Sequence, residues 1–287
     1  MLTTYPNALQ SFRLDARKYK FVRHCTTSDL YLVSPELRNA PNPVAVKMFR
    51  GCSLTMSPGQ KQTFINELGN YAEQWSQAGH DHVVPLLGTD DECADLPALR
   101  LPYYENGNIM DFKENNAAYS EQIQRKLMCQ VALALNSLHS QGMFHGSLRA
   151  SKILIDDDGN ARLGYPMLCA ISRKNRQSTD NNWRWRDTRL IELEAQTDQP
   201  IVISDKTDVF GYAMTLIEIC SGNVPYASYR DCASIVAQIL NGRLEPLTKP
   251  PMMDERLWEI VQECRLPEQS RPKMSTVVRW MQEYATR

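Results

Sequence analysis

The spacing of apolar positions changes period several times along the chain, and each change predicts an element. Tyr19-Lys20-Phe21-Val22 and Leu30-Tyr31-Leu32-Val33 are short β-forming runs, predicted as two strands joined by a turn. Pro43 to Phe49 predicts a third strand. From Gln60 to Ala78 the period becomes helical, directly after the breaker Ser57-Pro58-Gly59. Ser120 to Ser140 is amphipathic: Ile123, Leu127, Val131, Leu135 and Leu138 recur at helical spacing, and Gly142 follows the end. Ile153-Leu154-Ile155 and Ala161-Arg162-Leu163 flank Asp156-Asp157-Asp158-Gly159, a hairpin with Asp-Gly at its tip. Val209, Ala213, Leu216, Ile217 and Cys220 predict the buried stripe of a late helix. Residues 1–18 are weakly periodic and predict an extension packed on the first lobe, and 192–204 reads as a loop insertion.

Composition narrows the picture. The chain of 287 residues is long enough for one large or two small domains. A net charge of −1 provides no global field for nucleic acid or an anionic membrane, so neither is an expected partner. No apolar run reaches membrane-spanning length, and the first residues lack the pattern of a secretory signal. Eight cysteines without a Cys-x-x-Cys pair read as free thiols of a reducing compartment, so a cytoplasmic location is expected.

Candidate chemistry is sparse. His80-Asp81-His82 resembles half a metal site, but a lone His-x-His at a strand entry is more often structural, and no metal is expected. Asp156, Asp157 and Asp158 raise calcium, against the plainer reading of a solvated turn. Arg173, Lys174, Arg176, Trp183, Arg184, Trp185 and Arg186 interleave cations with aromatics, a pattern that can bind nucleic acid, although Trp185 also suits a core position.

The most telling stretch is Phe144-His145-Gly146-Ser147-Leu148-Arg149-Ala150-Ser151-Lys152 with the hairpin that follows it and Tyr165-Pro166-Met167. It resembles the H-R-D-L-x-x-x-N catalytic loop and D-F-G metal loop of protein kinases, in frame and without a gap. Other landmarks follow in order. Val44-Ala45-Val46-Lys47 is similar to the strand that carries the nucleotide-binding Lys, and Leu101 falls at the gatekeeper before a hinge at Pro102. Arg184-Trp185-Arg186-Asp187-Thr188-Arg189 aligns with the end of an activation segment spanning Leu168 to Asn182, and Ser204 to Gly211 resembles the start of the F-helix with Asp208 kept. Tyr104-Glu105-Asn106-Gly107-Asn108 and His145-Gly146-Ser147-Leu148 look most like the tyrosine-kinase-like group expanded in mushroom-type fungi.

The resemblance implies an α+β bilobal kinase fold: an extension at 1–18, a small β-rich N-lobe with a C-helix at 19–101, and a larger helical C-lobe at 102–287. It also implies lost chemistry. Ser147 stands at the catalytic Asp, Lys152 at the metal-binding Asn and Tyr165 at the metal-loop Asp. The turn Arg23 to Asp29 has no glycine where kinases lay bare backbone over phosphate. Tyr71 falls at the C-helix Glu that should pair with Lys47, with Glu67 one turn earlier. Arg189 replaces a Glu that normally pairs with the residue matched by Arg271, so Glu192 or Glu218 is expected to substitute. Losing a general base costs roughly 10²–10⁴ in rate. A lysine about 4 Å from a divalent cation, at an effective dielectric near 20, is unfavourable by about 8 kcal/mol.

The expectation is therefore a pseudokinase without cofactor or metal. It would scaffold or allosterically regulate a protein partner, such as an active kinase or a signalling complex. Lys47 and Arg149 would persist as relics of nucleotide binding. The alternative is a nucleotide sensor or residual phosphotransferase in which Lys47, Arg149 and Lys152 hold a metal-independent nucleotide. Ser172, Ser178 and Thr179 in the basic segment are candidate phosphoacceptors.

Overall fold

The computed structural model describes residues 15–25, 28–37, 42–49, 56–91, 96–164, 183–197 and 202–286. Tyr165, the activation segment at 168–182 with Arg173, Lys174, Arg176, Ser172, Ser178 and Thr179, and most of the 1–18 extension lie outside them. The described residues form two compact units: one from 15–79 and 85–103, the other from 80–84, 104–164 and 183–286.

The first unit is an antiparallel sheet with a helix. Its strands are β1 (Tyr19–His24), β2 (Ser28–Val33), β3 (Val44–Phe49), β4 (Gly88–Asp90) and β5 (Ala98–Pro102), in the order β1-β2-β3-β5-β4. Every residue of β3 is buried, so this central strand is covered on both faces. Val44, Val46 and Met48 join Tyr19, Val33 and Ala98 in one cluster, with Tyr31 and Leu37 against it. On the alternate face, Lys47 lies in register between Leu30 and Leu99. Phe49, on that same face, meets the ring of Phe64 edge-on at 5.5 Å. Phe64 belongs to α1 (Pro58–Gln77), which begins where the breaker predicted: Ser57 caps it, Gln60 closes the capping box and Pro58 occupies the first turn. Phe64, Leu68, Tyr71 and Trp75 form its buried face.

The first hairpin is longer than the sequence pattern suggested. β1 runs on to His24 and β2 begins at Ser28, paired through His24 with Asp29. The Cys25 N–H donates to Ser28 O at 2.7 Å, and His24 Nδ1 lies 2.8 Å from Asp29 Oδ1. The pairing shifts register between Phe21 and Arg23, a bulge, and then continues up to the turn. Across the sheet, Asp90 accepts from Tyr19 Oη at 3.1 Å and Arg100 at 2.9 Å, tying β1, β4 and β5 together.

The second unit is built on helices: α2 (Ile109–Asn115), α3 (Glu121–Ser140), α4 (Thr188–Thr197), α5 (Asp205–Ser221), α6 (Cys232–Leu240), α7 (Glu255–Cys264) and α8 (Met274–Ala285). A two-stranded sheet, β6 (Ile153–Ile155) and β7 (Ala161–Leu163), accompanies them. α5 is the central element: every residue from Asp208 to Cys220 is buried, as expected for a helix surrounded by others. It ends at Gly222, whose φ of 74° suits a left-handed cap. The α+β class, with a sheet-rich N-terminal unit and a helical C-terminal unit, is as expected.

One local expectation changes. The stretch from Glu192 is not loop up to 204, because α4 extends to Thr197. Ile191 packs on Ile235 and Ile239 of α6, and this burial stabilises a helix whose polar composition concealed it. In the turn between β6 and β7, Asp156 Oδ1 accepts from the N–H groups of Asp158 at 3.1 Å and Asn160 at 2.8 Å. Its Oδ2 accepts from Arg162 at 2.7 Å. These bonds make the carboxylate a turn cap, which favours the plain reading over calcium.

Candidate functional site

The loop from Phe144 to Gly164 hangs from α5. Ser204 caps that helix and places Asp208 one turn in, buried. Asp208 Oδ2 accepts from His145 N–H at 2.6 Å and faces His139 Nε2 at 3.0 Å, while Oδ1 accepts from Gly146 N–H at 2.7 Å. Gly146 has a φ of 73°, a conformation that disfavours any side chain. One carboxylate thus orders the turn that starts the loop.

His145 orders the other side. Its Nε2 lies 2.9 Å from Gly164 O, and its Nδ1 accepts from Ser147 N–H at 3.2 Å. A carbonyl can only accept, so the proton sits on Nε2 and the ring is neutral. Burial pushes its pKa down to about 4 against the pull of Asp208. The ring is a spacer between the loop and Gly164, the residue that follows β7. Gly164 N–H donates to Lys152 O at 2.9 Å, closing that end as well.

The third support comes from Glu218, near the far end of α5. Its Oε2 accepts from Ala150 N–H and from Trp185 Nε1, both at 2.8 Å. Burial raises its pKa, and these two bonds and Arg149 oppose the rise. Trp185 lies in a 3-10 turn from Trp183 to Trp185. Arg149 bridges the same parts: its guanidinium carbon lies 5.8 Å from the centre of the Trp185 ring, and its Nε donates to Ser151 Oγ at 3.1 Å.

The predicted positions fall as follows. Ser147, Arg149 and Lys152 share this one loop; Ser147 is 6% exposed and the other two are half-buried. Lys47 belongs to the first unit, where it is 2% exposed. There Tyr71 lies on the buried face of α1 and Glu67 is half-buried. Tyr165 lies outside the described residues.

The expected partner of Arg271 is corrected. Glu192 and Glu218 do not serve it; its guanidinium pairs with Asp187. It also donates to Leu266 O and Lys206 O, and it lies 5.0 Å from the centre of the Phe210 ring. Arg189 is exposed whereas Arg271 is buried, so Arg189 does not take the place of that anion. Asp187 was the only acid between Asp180 and Glu192, which was the available signal. Arg184 was also missed as an anchor. It is buried and donates to the carbonyls of Pro225 at 3.0 Å, Tyr226 at 2.6 Å and Tyr229 at 2.9 Å. Tyr226 carries a positive φ of 57°, held beneath that guanidinium. Arg184 and Trp185, at the described end of the aromatic-basic run, are thus committed to interior bonds.

In the other candidate cluster, His82 N–H donates to His80 Nδ1 at 3.0 Å, and burial lowers the pKa of His82. Among the described residues no three metal-ligating side chains converge. No described helix is long and apolar enough to cross a membrane.

Comparison with known proteins agrees with this geometry. The family profile of protein tyrosine and serine/threonine kinases matches residues 21–281. A dual specificity protein kinase, pyk3, of Dictyostelium discoideum is 22% identical over 238 residues, covering 82% of this chain and 16% of that protein. A serine/threonine-protein kinase-like protein of Arabidopsis thaliana is 26% identical over 249 residues, covering 78% of this chain and 67% of that protein. The mitogen-activated protein kinase kinase kinase 2 of the same plant is 26% identical over 200 residues, covering 67% of this chain and 29% of its own length. The chain therefore spans less than a third of two of these three relatives. An α5 carboxylate that orders a His-x-x-Leu loop, an acid–Arg271 anchor and a profile match over most of the length have one common explanation: the chain belongs to the protein kinase family.

Proposed function

We propose that this kinase-family chain is a pseudokinase, acting in the cytoplasm by binding an active kinase or another component of a signalling complex. The observation that carries the reading is the chemistry of the loop. From Phe144 to Ile155 there is no acid, while Arg149 and Lys152 are present. The residue at the catalytic Asp position, Ser147, is buried, with its N–H given to His145. The carboxylates beside the loop, Asp208 and Glu218, face inward and accept from N–H groups, so neither is placed to accept a proton from an outside hydroxyl. The donor set does not fit a kinase-type Mg²⁺, which requires oxygen ligands of negative charge. Lys152 brings a positive charge in their place. The strand-like first hairpin, without glycine, also supports the absence of a phosphate cradle.

The relatives are named as kinases, so retained activity is the outcome the experiment must be able to find. Melting temperature is measured with ATP or ADP, each with and without Mg²⁺, together with label transfer from radioactive ATP to a generic acceptor. The expected result is no Mg²⁺-dependent shift and no transfer. Saturable Mg²⁺-dependent transfer that disappears in Lys47→Met would overturn the reading. A shift without metal, removed by Lys47→Met or Lys152→Asn, would favour the second reading, a metal-independent nucleotide sensor, for which the retained Lys47 is the supporting observation.

A further inference from the structure

We propose that the outward face of α6 is a self-association surface, on which two copies of the chain pack antiparallel about a two-fold axis. The inference goes beyond the pseudokinase reading and holds whichever way the loop chemistry falls. It starts from the sequence of the helix. From Cys232 to Gly242 no residue is charged, and most are apolar. The inward face accounts for part of this, since Ile235 and Ile239 are buried against Ile191 of α4. Opposite them, Ala233, Val236, Ala237 and Leu240 follow the i, i+3, i+4, i+7 spacing of one helical stripe. Ala233, Ala237 and Leu240 are exposed, Leu240 by 51%, and Val236 is half-buried. A single exposed apolar side chain is ordinary on a protein surface, whereas a contiguous stripe marks a contact surface. The two alanines let a second helix approach closely, because side-chain size at the contact sets the distance between helix axes.

The two ends of the helix decide what covers the stripe. Asp231 Oδ1 accepts from Ser234 N–H at 2.8 Å and from Ser234 Oγ at 2.7 Å, which fixes this acid at the N-terminal end. At the other end Gly242, with a φ of 63°, closes a Schellman motif. Its N–H donates to Ile239 O at 2.9 Å, and Arg243 N–H donates to Gln238 O at 2.8 Å. Arg243 is thereby held beside the last turn, and it is exposed. An acid and a base thus bracket an uncharged helix about 14 Å long. Turned over about an axis between Val236 and Ala237, the face matches itself. Stripe meets stripe, and each Asp231 comes to the Arg243 end of the other copy. The same operation brings Arg230 to the end that holds Glu245. No like charges oppose each other across the stripe, because it carries none, and the two helix dipoles run in opposite directions. Each end holds one acid and one base, Arg230 with Asp231 and Arg243 with Glu245, so a strongly acidic or basic partner finds no net counter-charge. A second copy fits better. One nine-residue helix is small beside a standard interface, which fits a reversible dimer.

Sedimentation velocity of the full chain tests this, from about 1 to about 200 μM and at low and physiological salt. The sedimentation coefficient is expected to rise with concentration toward that of a dimer. Ala237→Glu places like charges face to face at the axis, from an exposed position. It should weaken dimerisation at least about tenfold, with an unchanged circular dichroism melting curve at low concentration. Arg243→Glu sets acid against acid at both ends of the contact. It should weaken dimerisation about threefold at low salt and less at physiological salt. Arg279→Glu, exposed on α8, should leave dimerisation unchanged. A monomer at every concentration would overturn the inference and assign the stripe to an unlike partner. A dimer that ignores Ala237→Glu or Arg243→Glu, or one weakened equally by Arg279→Glu, would overturn it as well, by placing the contact elsewhere.

Discussion

The loop at 145–152 and the segment end at 183–187 are both fastened to α5 and its neighbours, but by different means. In the loop the anchoring residues are those of the family: His145, Leu148 and, on α5, Asp208. In the segment end the residues have changed and the interaction has survived. The acid has moved to Asp187 and still neutralises a buried arginine, while Arg189 is released to solvent. A buried guanidinium needs an anion more than it needs a particular anion, because leaving it unpaired costs several kcal/mol. Inside the loop, by contrast, the proposed reading puts Ser147 and Lys152 at positions whose family role is chemistry, and no side chain from Phe144 to Ile155 is an acid. The difference teaches that this chain keeps the interactions that hold the fold, wherever the residues sit.

The comparison can be broken most directly at Asp208. Asp208→Ala strips acceptors from two backbone N–H groups and from His139 in one change. It should destabilise the protein by about 3–5 kcal/mol in urea unfolding. A loss below about 1 kcal/mol would mean the loop holds its shape without α5.

The next largest effect is a pH dependence. His145 titrates near 4 in the folded protein and near 6.5 when unfolded. Above pH 6.5 both states carry a neutral ring. Below it the unfolded chain binds a proton that the folded chain refuses, so stability falls between about pH 6.5 and pH 4. The full loss is on the order of 3 kcal/mol. Chemical denaturation across that range should show the slope, and His145→Gln should flatten it even though the variant is less stable throughout. An unchanged slope would place the proton elsewhere.

The smallest effect sharpens the other half of the comparison. Asp187→Ala and Arg271→Ala should each destabilise, and the double variant should lose less than their sum by about 1–3 kcal/mol. Arg189→Ala, at an exposed position, should change stability by less than about 0.5 kcal/mol. If Arg189 mattered and Asp187 did not, the displaced anchor would be wrong.

Much of the fold was legible in the residues because it rests on local rules. The Ser57-Pro58 start of α1, the amphipathic α3 and the Asp-Gly hairpin each announce themselves within about twenty residues. α4 was not legible. Among its described side chains Ile191 is the one deeply buried apolar residue, and its reason to be helical lies on α6. The extra length of β1 and β2 was equally hidden, since Arg23, His24 and Asp29 become strand by pairing with each other's chain.

The candidate site divides along the same line. The sequence by itself determined which chemical groups are present: a loop without an acid, a hydroxyl at Ser147 and cations at Arg149 and Lys152. No folding can supply a charge that the chain does not encode. Only the tertiary structure decided which groups neutralise one another. Asp187 rather than Glu192 meets Arg271, and Glu218 joins the loop to Trp185 across 68 and 33 residues of chain. Burial sets those pairings, because a desolvated N–H or guanidinium must find an acceptor close in space, wherever that acceptor stands in the sequence.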